Sequence, residues 1–221
     1  MNKKIIFFLV YIFAGFGLMQ IPFSQIIGSS LKFSLFDFFG PIIGGLAGSL
    51  AGLVTVLAMQ VLNWTIHGLA MDVGTLIRFF PMLFAVLYFA RRSWLICTVP
   101  VLAMVAFWIH PEGRAAWYYA LYWLIPVAMY FLADRFLLAR ALGTTFTAHA
   151  VGSILFLYFF NLPSAVWIGL LPIVWKERGL MALGILVSYI AFNFLLSFLQ
   201  KKLHVSFPFL RLNPKYSLNN H

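Results

Sequence analysis

DFFGPIIGGLAGSLAGLVTVLAMQVL, residues Asp37 to Leu62, carries no charge after its first position, and Gly40, Gly44, Gly48 and Gly52 recur every fourth residue within it. On a helix this spacing places four positions without side chains on one face. In a bilayer, where burial of apolar surface no longer drives helices together, such a face lets a second backbone approach closely. Asp37 and Pro41 suit a first helical turn, one as a cap and the other as a ring whose missing N–H has no helical partner to lose. The stretch therefore reads as a membrane helix with a smooth packing edge. That edge serves either an internal helix contact or a docking surface for a partner, with Gly44, Gly48 and Gly52 as the docking positions.

The surrounding composition agrees. Of 221 residues, 63% are hydrophobic and only 9% are charged. Soluble domains average about 45–50% apolar and about 25% charged residues. The expected class is all-α, a polytopic helical bundle of six to seven spans forming one integral membrane domain over residues 1–221 and sitting in the cell membrane as a multi-pass protein. Fifteen Lys and Arg oppose five Asp and Glu. Because the basic residues flank apolar runs, anionic headgroups rather than nucleic acid are their expected partners. One cysteine, Cys97, excludes an intramolecular disulfide and a cysteine-cluster metal site. No metal or cofactor is expected.

A span needs about 20 apolar residues. Charge-poor runs predict spans over residues 5–27, 38–62, 75–90, 93–109, 115–133, 142–160 and 179–199. A short amphipathic link, Ser29 to Phe36, precedes the second. The polar NWTIHGLAMDVG, 63–74, is read as a loop or a half-buried helix end. Asn161-Leu162-Pro163 breaks a long run, and 164–175, with Pro172, is expected to be re-entrant or interfacial. A basic tail, 200–221, is expected to fray. Seven spans with this tail inside place nine of the fifteen basic residues in the cytoplasm and the N-terminus outside, whereas Lys3 and Lys4 favour six spans with both ends inside.

Ionisable groups at bilayer depth are candidate functional residues. His149 lies in a charge-free run, with Thr145 and Ser153 four residues to either side, so that the three share a helix face. It is read either as a ligand-contacting or proton-sensitive group or as a packing histidine bonded across helices. In the aromatic stretch Trp117 to Trp123, Trp117 and Tyr118 suit an interfacial belt and Tyr122 suits a pocket wall. Glu112 with Arg114, and Glu177 with Arg178, are read as interfacial anchors or as recognition groups for a polar solute. Motifs of zinc proteases, phosphate-binding loops and serine hydrolases are missing, as is any pair of intramembrane carboxylates.

Together, Gly40-Pro41-Ile-Ile-Gly44-Gly45-Leu-Ala-Gly48 in an early span and the Trp- and Pro-containing segment Asn161 to Trp175 ahead of the last span resemble the substrate-binding S components of energy-coupling factor (ECF) transporters. The resemblance implies a six-helix bundle that captures a vitamin-like solute on the outer side and docks on a separate coupling subunit with two ATPases. It implies no enzymatic activity.

The expected function is that of a membrane-embedded substrate-binding subunit of a transporter. Its solute site is expected between the fifth, sixth and last spans. Tyr122, Trp123 and Trp167 would stack on the ligand, His149 and Asn161 would hydrogen-bond it, and Glu177 would meet a polar or cationic group. Two other functions fit the same sequence: an intramembrane enzyme acting on lipid or peptide with His149 as base, and a structural subunit held to a permanent partner by its glycine face.

Overall fold

The structure, a computed structural model, describes residues 2–25, 32–68, 72–203 and 206–218. Over these residues the fold is all-α apart from one small hairpin. Helix α1 (Lys3–Met19) starts where the Asn2 side chain accepts the Lys4 N–H at 3.0 Å. Strands β1 (Pro22–Gln25) and β2 (Lys32–Ser34) then pair antiparallel, Pro22 opposite Ser34 and Gln25 opposite Lys32. The glycine-rich stretch follows in three pieces, α2 (Phe36–Phe39), α3 (Ile42–Ala47) and α4 (Ser49–His67). Next come α5 (Val73–Ala90), α6 (Trp94–Ile109), the single turn α7 (Pro111–Ala115), a 3₁₀ stretch (Trp117–Trp123) and α8 (Leu124–Tyr130). Two long helices complete the bundle, α9 (Leu137–Phe160) and α10 (Ser164–Leu203). Of these, α4, α5, α9 and α10 are long and apolar enough to cross a membrane.

Local chemistry sets the breaks. Pro41 starts a new helix because it has no N–H to continue the old one. Gly48 sits at φ +87°, ψ 172°, a conformation that a residue with a Cβ rarely adopts. Gly68, at φ +55°, ends α4 in the left-handed region. Asp72 opens α5 by accepting the Thr75 N–H at 2.7 Å, a bond that holds its carboxyl below the usual carboxylate range. Asn161, at φ +47°, closes α9.

The elements run between two ends. At one end, Phe7 and Phe8 pack on Phe209, Gly44 meets Val86 and Ala90, Tyr88 donates to the Pro126 carbonyl at 2.7 Å, and Arg92 and Arg140 both reach Asp134. At the other, Gln20 donates to Asn63 at 2.9 Å, Trp108 donates to the Trp117 carbonyl at 2.9 Å, and the Ser164 N–H donates to Glu112 at 2.6 Å. Both described chain ends thus lie at the first end. That end also carries Lys3, Lys4, Arg91, Arg92, Arg135, Arg140, Lys201, Lys202, Arg211 and Lys215, ten of the fifteen basic residues.

Several sequence expectations change. The predicted span 38–62 is not one rod but α2, α3 and α4, folded back at Gly48 so that Gly52 lies against Gly44. A Cβ on Gly52 would stand 2.8 Å from Val86 Cγ1 and 3.0 Å from Gly44 Cα. A Cβ on Gly44 would run into the Val86 carbonyl oxygen, and Gly48 faces the Arg211 guanidinium. The expected docking face of Gly44, Gly48 and Gly52 is therefore covered by α5 and the C-terminal segment of this same chain. The segments 164–175 and 179–199, expected to be separate, form one helix, because the intervening charges Glu177 and Arg178 pair at 3.2 Å and do not need a water interface to end it. The expected frayed tail is anchored over its described part: the Arg211 N–H donates to the Leu46 carbonyl at 2.7 Å, Asn213 N–H to Asn193 at 2.8 Å and Leu218 N–H to Ser197 at 2.7 Å. The first predicted span is helical only to Met19, and its end at 26–27, like part of the link 29–36 and of the loop 63–74, lies outside the described residues.

The glycine packing gives a direct test. Gly44→Ala should destabilise the solubilised protein by about 1–3 kcal/mol, the usual cost of overpacking against fixed backbone. Gly17→Ala, at a helical glycine with no neighbour within 4 Å of the added Cβ, should cost nothing and gain up to about 1 kcal/mol. Thermal unfolding of both variants in the same detergent compares them.

Candidate functional site

A cavity of about 970 Å³ lies between two hydrophobic cores. One core is built from α1, α2, α3, α4, α5 and α10 around Tyr11, Phe39, Ile42 and Phe89. The other gathers Phe107, Tyr119, Trp123, Phe146 and Trp167 from α6, the 3₁₀ stretch, α9 and α10. Cavity walls include Gln20, Asn63, Gly74 and Leu162 at the end away from the basic residues, and reach down to Ala85, Thr144 and Ile185. This volume is of the size that holds a small organic ligand, about 300–1,000 Å³.

His149 stands in the wall, 8% exposed, at the middle of α9. The Trp123 indole N–H donates to its Nδ1 at 3.2 Å, and the Tyr119 hydroxyl lies 2.8 Å from its Nε2. An indole N–H can only donate, so Nδ1 is an acceptor. The ring is then neutral with its proton on Nε2, and that proton goes to the Tyr119 oxygen. Ser153 is within hydrogen-bonding reach of the same hydroxyl. The polar stripe Thr145–His149–Ser153 is thus present on α9, with Thr145 set against the Met181 sulfur at 3.5 Å. Both ring nitrogens are engaged, Nδ1 as an acceptor and Nε2–H as a donor.

The six expected solute contacts separate. His149, Trp167 and Glu177 line the cavity; Tyr122, Trp123 and Asn161 do not. Trp167, 2% exposed, is held by donation to the Leu162 carbonyl at 3.1 Å and meets Phe107 and Tyr119 edge to face. Trp123 is buried behind His149 and orients it rather than touching a guest. Tyr122 turns away: its hydroxyl donates to the Leu171 carbonyl at 2.8 Å and its ring stacks on Phe146. Tyr119, one 3₁₀ turn earlier, takes the wall position instead. Asn161 is the left-handed residue that ends α9, a task Asn tolerates better than most residues. Glu112 holds the start of α10 through Ser164, where a carboxylate also meets the positive end of the helix.

The Glu177 carboxylate pairs with Arg178, Oε2 accepting from Nη2 at 3.2 Å. Arg178 is 7% exposed, and its guanidinium sits 4.8 Å from the centre of the Phe33 ring. The wall also carries Lys32, Asp37, Gln60 and Arg78. Asp37 accepts the Ser34 N–H at 2.9 Å, tying the hairpin to the start of α2. Arg178 appears in the sequence as one of three consecutive charges between apolar runs, a pattern that reads as an interface. Gln60 is the lone amide in the apolar stretch 38–62, an uncharged group that a search for ionisable residues passes over. Among the described residues no group of three His, Cys, Asp or Glu is placed to hold a metal ion.

The tautomer is measurable. With ¹⁵N-labelled histidine, the His149 ring should show a proton on Nε2 and a bare Nδ1. Trp123→Phe should remove that preference and cost about 1 kcal/mol of stability, the net worth of one buried hydrogen bond. A proton on Nδ1 in the unmodified protein would contradict the assignment. No known protein family, no curated protein and no solved structure matches this chain.

Proposed function

We propose that the protein is a membrane-embedded solute-binding protein, of the kind that serves as the substrate-capturing subunit of a transporter. The observation that carries the reading is the cavity: a space of about 970 Å³ in the middle of an apolar bundle, walled by Trp167, His149 and Phe156 and furnished with charged and amide side chains. Polar groups at this depth are costly, and those without a partner in the protein point to a guest.

The charge distribution supports a direction. Ten of fifteen basic residues gather at one end, and cytoplasmic flanks of membrane helices are enriched in Lys and Arg. With that end in the cytoplasm, both described chain ends are inside and the cavity opens outward, as uptake requires. Eight passes between the ends, two of them in broken pieces (α2 with α3, and α7 to α8), meet this topology. At about 1.5 Å per residue, α2 and α3 together cover roughly 18 Å, less than the hydrocarbon thickness. The resemblance to S components of ECF transporters supports an ATP-driven coupling module as partner. Such a partner would dock on a surface other than the covered glycines.

Filling the cavity tests the reading. Ala148 lines it from α9. The unmodified protein should gain several degrees of thermal stability from its solute in a screen of vitamin-like, nucleobase-like and amino-acid-like compounds, and Ala148→Trp should abolish that gain while the variant still folds. A stabilising compound that acts equally on Ala148→Trp would place binding elsewhere.

A further inference from the structure

We propose that the ligand of this cavity is a monocarboxylate with a separate hydrogen-bond donor on a flat apolar body, the carboxylate received by Arg178 and the donor by Gln60. This rests on the cavity being a solute site.

Four buried side-chain atoms among the described residues lack a hydrogen-bond partner: Gln60 Oε1, His110 Nδ1, Thr147 Oγ1 and Arg178 Nε. Gln60 and Arg178 belong to the cavity wall, and each is 7% exposed. Arg178 has only donors to offer, and its Nη2 already serves Glu177 at 3.2 Å. Its Nε–H needs an acceptor, and among the described residues no carboxylate other than that of Glu177 lies within 4 Å. Gln60 Oε1 is the opposite case, an acceptor that needs an N–H or O–H. A simple anion satisfies the first and leaves the second; an amine or alcohol without an acid does the reverse. A guest with both groups removes both costs, and a buried polar atom left unmatched is costly enough to select for it.

Net charge narrows the acid. The wall holds three cations, Lys32, Arg78 and Arg178, against two carboxylates, Asp37 and Glu177, with Asp72 near Arg78 at the rim. A single negative charge is the most that this set can balance. A dianion would meet Asp37 and Glu177 with its second charge uncompensated in a place of low dielectric. Between the polar groups, Phe79, Phe156 and Trp167 supply flat apolar wall, and Arg prefers carboxylates for their matching planar geometry.

The test uses the full chain in lipid nanodiscs and isothermal titration with four matched probes: indole-3-acetate, indole-3-acetamide, tryptamine and benzofuran-3-acetate. The acids should bind, and the amide and amine should bind at least about tenfold more weakly, the usual loss when a charged hydrogen bond goes. Arg178→Gln should weaken the acids by a similar factor. Because that change also strands Glu177, a second variant separates binding from folding: Gln60→Met should weaken indole-3-acetate about tenfold and leave benzofuran-3-acetate, which has no N–H, unchanged. Equal binding of acid and amide, or equal loss of both acids in Gln60→Met, overturns the assignment. If the amide or amine binds better than the acids and Ala148→Trp blocks it, the carboxylate inference fails while the solute site stands. If no probe of any charge binds, both fall.

Discussion

The fold depends on one close approach of backbones. α3 and α4 lie against α5 because Gly44 and Gly52 leave no side chain where the Val86 carbonyl and methyl must pass. In water such a contact would be one among many, held by the apolar surface around it. In an apolar medium the surrounding lipid competes equally for that surface, and the gain comes from dispersion across a tight fit. The same approach brings Tyr189 of α10 and Phe89 of α5 together edge to face and closes the core on the basic side of the cavity. Without it, α4 would stand away from α5, and the wall made by Gln60 and Asn63 would be displaced from that made by Met82 and Ala85.

Around the cavity, the polar groups divide into those that build and those that wait. Trp123 fixes His149, His149 fixes Tyr119, and Glu177 fixes Arg178. The first two pairs are buried and the third is partly buried, so these side chains are held by the protein's own contacts. The histidine is then a neutral hydrogen-bonding spacer. In the wall it holds the Tyr119 phenol in place.

Much of this was legible in the sequence, and the reasons for the rest are physical. The apolar runs and the glycine spacing pointed to packed membrane-type helices, and the stripe on α9 pointed to His149, because both are local patterns on single helices. What a single helix cannot reveal is which neighbour meets its special face. The glycine edge looked free for that reason and is in fact used within the chain. Lys176, Glu177 and Arg178 looked like the boundary between two segments, since three charges in a row usually sit at water; a polar cavity beside the helix gives Glu177 and Arg178 a place to stay inside it. Tyr122 was set apart from the belt residues Trp117 and Tyr118 as the pocket wall, but the chain there winds as a 3₁₀ helix and Tyr119 lines the cavity instead.

The anchored C-terminal segment bears on how the molecule is made. The turn at Gly48 frees the Leu46 carbonyl, and the N–H that answers it belongs to Arg211, beyond the last long helix. The early helices precede that segment in the chain, so the oxygen at the bend stays without this partner until the segment after α10 has been made. The bend is thus closed from far along the sequence, and a chain cut before Arg211 lacks the clasp.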